Sequence, residues 1–138
     1  MDAKKRILAT LAGFAVFFIM GWLLYGMLLM DFFQTNSGTA TGVVRADTEM
    51  VWWALIGGNI LQAYFLVYVF GKLTNIHTFG SGFQNGLVLG LIIGYGYDLT
   101  MYGTTNMMNL TGTLVDPLVA AVMMAVSGGV IGWVLGKK

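Results

Sequence analysis

Four apolar stretches, each long enough to cross a bilayer, restrict what this chain can fold into more than any other feature. They run over about 7–30, 50–70, 80–102 and 117–136. A helix rising about 1.5 Å per residue needs about 20 apolar residues to cross the hydrocarbon core. Backbone N–H and C=O groups find no water there, so such stretches are read as helices. The expected fold is an all-α integral membrane protein, a single domain over 1–138 built as a bundle of four transmembrane helices. Composition agrees: 57% of the 138 residues are hydrophobic, 9% are charged and the mean hydropathy is +0.78. A soluble domain carries about 25% charged residues. The first stretch exceeds the roughly 7–15-residue core of a cleaved signal sequence and ends in "MDFFQTN", without a small-x-small cleavage pattern. It is read as a retained span.

Local chemistry suggests where the spans begin and end. Asp116 before Pro117 is a favoured helix opening, with Asp as N-cap and Pro in the first turn. "VFGK" closes the second span and "VLGK" the fourth, which predicts glycine C-caps at Gly71 and Gly136 followed by an interfacial lysine. The connections at 73–79 and 103–112 are short, so neighbouring helices should be antiparallel. The first connection, 31–49, is long, and "TATGVVR" within it suits a short turn or strand.

Orientation follows from Lys and Arg, which favour the cytoplasmic side. Lys4, Lys5, Arg6, Lys72, Lys137 and Lys138 all fall on one side of a four-span chain, and only Arg45 falls on the other. Both termini are therefore expected in the cytoplasm. Trp52 and Trp53 then mark the outer interface and Trp133 the inner one.

Small residues are arranged for helix packing. Gly82, Gly86, Gly90 and Gly94 follow one another at four-residue intervals, as do Gly128, Gly132 and Gly136. Membrane helices associate through such rows, because lipid is as apolar as the side chains it would displace. The rows, a glycine zipper in form, suit packing within one chain or self-association between chains.

Polar groups inside the spans carry the functional reading. Asn59 and Gln62 lie near mid-depth of the second span, on one polar sector. They suit interhelical hydrogen bonding or the wall of a polar cavity. Asp98 sits four residues past Gly94, on the next rung of the glycine row. Tyr95 and Tyr102 flank it, Tyr25 of the first span reaches a similar depth, and Arg45 is the available counter-ion. Three readings stand side by side. Asp98 is a structural partner of Tyr25 or Arg45, or a proton or cation site, or an interfacial residue beyond a helix that ends near Tyr97.

Several function classes are excluded or poorly supported. The net charge of +1 and a single short basic cluster argue against nucleic acid. With no cysteine and one histidine, His77, no metal site is expected and no cofactor is indicated. No nucleophile–base–acid arrangement can be assembled, so an enzyme is not expected. "GYGYD" resembles a potassium-filter string. However, Ile92 and Ile93 precede it, the glycine spacing is helical, and no pore helix is evident.

The element "GWLLYGMLLMDFF", through Trp22, Tyr25, Gly26 and Leu28, resembles the opening of a family of small four-span bacterial membrane proteins known as a domain of unknown function. That family often has Pro after the glycine, where this chain has Met27. The resemblance implies a multi-pass protein of the bacterial inner membrane and supplies no activity. The leading expectation is a non-enzymatic packing or accessory subunit whose partners are the lipid bilayer and either itself or a larger membrane complex. The alternative is a proton- or cation-coupled small transporter or pore that uses Asp98 with Tyr25, Tyr95, Asn59 and Gln62.

Overall fold

The computed structural model describes residues 2–138, whose regular elements are all helices, with no strand among them. Helix α1 (Ala3–Leu23) runs on into a π turn (Leu24–Leu28), and a short α2 follows (Met30–Thr35). Helix α3 (Trp52–Tyr68) likewise ends in a π turn (Val69–Leu73). Helices α4 (Phe79–Thr104) and α5 (Leu110–Gly136) complete the chain. By length and composition, three helical stretches can cross a membrane: Ala3–Leu28, Trp52–Leu73 and Leu110–Gly136. At 26 residues α4 is as long as these, but Gln84, Asn85 and Asp98 lower its apolarity and it falls short of them. Large apolar side chains face outward on every long helix, among them Leu11, Ile56, Ile92 and Leu118. Soluble proteins rarely expose such continuous apolar surface, so these faces suit lipid.

Element boundaries differ from the expected ones at informative places. Helix α5 begins seven residues before Pro117, capped by Asn109, whose Oδ1 accepts the Gly112 N–H over 2.8 Å. Asp116 and Pro117 therefore lie inside the helix, and Asp116 is not its N-cap. Proline there deprives the Thr113 carbonyl of its usual i+4 donor, which membrane helices tolerate better than soluble ones. The expected glycine C-caps are also absent. Gly71 lies within the π turn, and Gly136 is the last helical residue of α5. After the π turn the chain reverses at Asn75, whose φ of 52° is left-handed, and the Ile76 N–H bonds the Phe70 carbonyl over 2.9 Å. Asn tolerates that conformation better than most residues with a side chain. In the first connection, "TATGVVR" forms no strand. The preceding residues pair instead: Ser37 bridges Met108, and the Gly38 N–H donates to the Met107 carbonyl over 2.9 Å.

Helices α4 and α5 form the tightest seam, and both glycine rows face into it. A Cβ on Gly82 or Gly86 would run into the carbonyls of Gly128 and Met124 respectively. One on Gly90 would come within 2.6 Å of the Ala121 Cα, and one on Gly94 within 3.0 Å of the Pro117 ring. From the other side, Gly128 meets Gly82, Gly132 meets Thr78 and Gly136 meets His77. The two rows thus serve one contact within the chain, and neither is left over for a second copy.

Around α5 the remaining helices form an arc. Helix α1 packs on α5, α3 packs on α1, and α3 and α4 scarcely touch. The end of the arc that carries the chain termini is filled by Phe17 of α1, Leu66 and Val67 of α3, Phe70 of the π turn after it, and Ile131 and Leu135 of α5. The basic residues gather at this end, where Lys5 Nζ donates to the Lys137 carbonyl and Lys137 Nζ lies 3.7 Å from the Trp133 ring centre. Toward the opposite, loop-bearing end, the helices stand apart and leave a cleft.

Candidate functional site

Each glycine row leads to an aspartate. On α4 the four-residue steps from Gly82 to Gly94 continue to Asp98. On α5 the steps back from Gly136 through Gly132, Gly128, Met124 and Ala120 reach Asp116. Because the helices are antiparallel and Gly94 packs on Pro117, the two rows bring both carboxyls to the same level. Counting about 1.5 Å per residue, each lies about 9 Å below the loop-side end of its helix.

Asp98 and Asp116 line one cleft at this level. Asp98 is 4% exposed, and its Oδ2 is buried without a partner. Asp116 is half-buried, and its Oδ1 accepts from Tyr25 Oη over 2.6 Å. Tyr25 belongs to the π turn that extends α1, and its ring lies 5.3 Å from that of Phe33 on α2. The irregular turn therefore carries the hydroxyl that holds Asp116, and π turns inside helices often lie at functional sites.

These three residues border a cleft of about 1350 Å³ between α1, α3, α4 and α5. Asn59 and Gln62 line it from α3. Counted from the loop-side ends, Asn59 is level with the acid pair to within a few ångströms, and Gln62 lies about 5 Å deeper. The Asn59 amide donates to the Leu55 carbonyl of its own helix over 2.8 Å, and Gln62 is exposed on the cleft. Neither amide bridges two helices. Trp22 and Tyr97 stand at the level of the acids, with Trp52 above and Phe65 below. No Lys, Arg or His lines the cleft.

Other candidate residues lie elsewhere. Tyr25 bonds Asp116 rather than Asp98. Tyr95 is on the seam, where its Oη donates to the Leu114 carbonyl over 2.8 Å and ties α4 to α5. Tyr102 is exposed and outside the cleft. Arg45 is exposed in the first connection and does not reach the acids, although its neighbours Val44 and Asp47 line the cleft mouth. Helix α4 continues six residues past Asp98, so the aspartate is not an interfacial residue beyond a helix end. Among the described residues no cluster of His, Cys, Asp and Glu is suited to a metal ion.

No family model, no curated protein and no solved structure matches this chain.

Proposed function

We propose that this chain is a four-span protein of the bacterial inner membrane, with both termini in the cytoplasm, that carries a proton or another cation through the Asp98–Asp116 pair. One observation supports this above the others: the buried, partly unpartnered carboxyl of Asp98 opens on a cleft whose wall also holds Asn59 and Gln62. An inert packing subunit has no need of such a space, whereas an ion path needs a polar route away from its acid. Ionisable groups inside spans are otherwise avoided because they are costly to insert.

Helix α4 joins the spans in this reading because it lies against α5 along nearly its full length, from Gly82 opposite Gly128 to Gly94 opposite Pro117. A helix held so closely shares the depth of its partner. The basic end, with Lys4 to Arg6, Lys72, Lys137 and Lys138, then faces the cytoplasm, and the cleft opens toward the outer side.

The residues divide the task by their chemistry. Asp98 and Asp116 repel one another when both are ionised, so together they take up a proton or a cation. Tyr25 fixes Asp116 by its hydrogen bond and leaves the Asp98 Oδ2 free as acceptor. Asn59 and Gln62 offer amide oxygens and N–H groups along the path. The packed end around Phe17, Leu66, Phe70 and Ile131 blocks the way to the cytoplasm. Passage therefore requires α3 and α4, which scarcely touch, to move relative to one another. An accessory subunit of a larger membrane complex is the alternative, favoured by the apolar side chains exposed on all long helices.

The test is flux into liposomes that enclose a pH-sensitive dye and are driven by a potassium diffusion potential. Asp98→Asn and Asp116→Asn should each lower the rate about tenfold or more, as expected for loss of an intramembrane acid. Wild-type flux no greater than that of empty liposomes would remove the proposal in its proton form. Sodium and potassium uptake, measured the same way, decides for other cations.

A further inference from the structure

Resting on the cation-site reading above, we infer that the cleft takes a lipophilic organic cation, a single positive charge on a bulky apolar or aromatic body. The size of the space is the first reason. Pockets for drug-sized ligands measure about 300–1000 Å³, and this cleft, at about 1350 Å³, exceeds that range. A bare metal ion needs a close cage of oxygens, six or more for magnesium or calcium. The acids here offer two carboxyls on one side of a wide space, and no metal-binding cluster exists among the described residues.

Charge is the second reason. The ionisable side chains that line the cleft are Asp47, Asp98, Asp116 and two tyrosines, with no basic group to neutralise them. An anion would meet no positive charge. A cation would find the acidic lining of Asp47, Asp98 and Asp116, with the Asp98 Oδ2 buried behind the wall and lacking any donor.

The walls supply the third reason. Trp22 and Tyr97, at the level of the acids, are 62% and 64% exposed, so much of each ring is uncovered by protein. Trp52 and Phe65 extend this apolar lining above and below. Aromatic faces attract cations, Trp most strongly, and quaternary ammonium groups are commonly recognised this way. An inorganic ion holds its water and gains little from such walls, whereas a cation shielded by hydrocarbon gains both the burial and the ring contacts.

Access fits the same class of ligand. The arc of helices is open between α3 and α4, so the cleft can be reached from the side as well as from the loop end. In a bilayer that side faces the lipid, where a lipophilic cation accumulates.

The experiment measures binding of tetraphenylphosphonium to the full chain in lipid nanodiscs, by equilibrium dialysis and by quenching of tryptophan fluorescence. Tetraphenylborate, nearly identical in shape and opposite in charge, is the control. Tetraphenylphosphonium should bind saturably and tetraphenylborate should not. Trp22→Ala should weaken binding about tenfold, the scale of one desolvated cation–π contact, and Trp22→Phe should recover part of that loss. Trp53→Ala, which alters a tryptophan outside the cleft, should leave binding unchanged. Asp98→Asn should weaken it at least as much as Trp22→Ala. If that variant fails to fold, the Trp22 series still decides.

Equal binding of the two ions, or tetraphenylphosphonium binding indifferent to Trp22, overturns the inference. The two proposals also fail separately. Asp98-dependent proton or sodium flux without tetraphenylphosphonium binding leaves the ion site standing and removes this ligand class. Asp98-dependent tetraphenylphosphonium binding without any flux removes transport and leaves the ligand class standing.

Discussion

Tyr25, in the π turn that extends α1, donates its phenolic hydrogen to Oδ1 of Asp116 on α5, over 2.6 Å, across ninety-one residues of sequence. The bond ties the π turn of one helix to the acid of another and leaves Asp98 as the carboxyl with a free oxygen. Tyr25→Phe keeps the ring against Phe33 and removes only the hydroxyl. It should lower stability by about 1–3 kcal/mol, the usual range for a hydrogen bond to a charged group whose partner is left unsatisfied. Unfolding titrations in mixed micelles measure this, and a loss below a few tenths would show that the bond has little weight.

The glycine seam gives a pair of opposite expectations. Gly86→Ala places a methyl group against the Met124 carbonyl and the Ala125 Cα, backbone atoms that cannot turn aside. It should destabilise the fold by about 1–3 kcal/mol, as overpacking does. Gly96→Ala, on the same helix with nothing within 4 Å of the new methyl group, should be neutral or stabilise by up to about 1 kcal/mol. Thermal melting of the two variants side by side separates close packing from helix propensity.

Legibility in the sequence followed the chemistry of each feature. Spans near 7–30 and 50–70 could be read because length and apolarity set them, whereas 80–102 marks a long helix that is less apolar than they are. The start of α5 could not, because Asp116–Pro117 is so favourable a helix opening that it outweighed the weaker cap of Asn109 before Thr111, Gly112 and Thr113. The glycine rows announced close packing, but spacing alone does not say which row meets which. Asp116 was passed over as a cap. The signal that reveals it is its place four residues below Ala120, on the row that leads back from Gly136. Tyr25 was recognised as a partner for an acid, yet one helix position decides which acid, and depth counted along a helix cannot resolve that.

Asn75 carries the turn after α3. A β-branched residue strongly resists a φ of 52°, so Asn75→Val should cost about 1–2 kcal/mol, the penalty for a left-handed residue with a bulky Cβ. Asn75→Gly should be close to neutral. Chemical unfolding of both variants distinguishes strain at this residue from loss of its side chain.

The two loops on the cleft side can be joined covalently. The side chain of Asn36 accepts from that of Asn109 over 3.1 Å, and the Asn109 N–H donates to the Asn36 carbonyl at the same distance. The chain contains no cysteine, so Asn36→Cys with Asn109→Cys forms the sole available pair. An intrachain disulfide should form under mild oxidation and speed migration on a non-reducing gel. Dimers alone would mean that the two loops are not neighbours.

The seam between α4 and α5 also bears on how the protein is made. Helix α4 leaves the ribosome before α5, and of the four long helices it is the one least able to enter lipid by its own apolarity. Its glycines offer the membrane bare backbone until the row on α5 arrives to cover them. The two should therefore insert as a hairpin, the later segment drawing in the earlier. A nascent chain halted at about residue 109 would be left with its third long helix stranded at the membrane surface, a substrate for quality-control proteolysis.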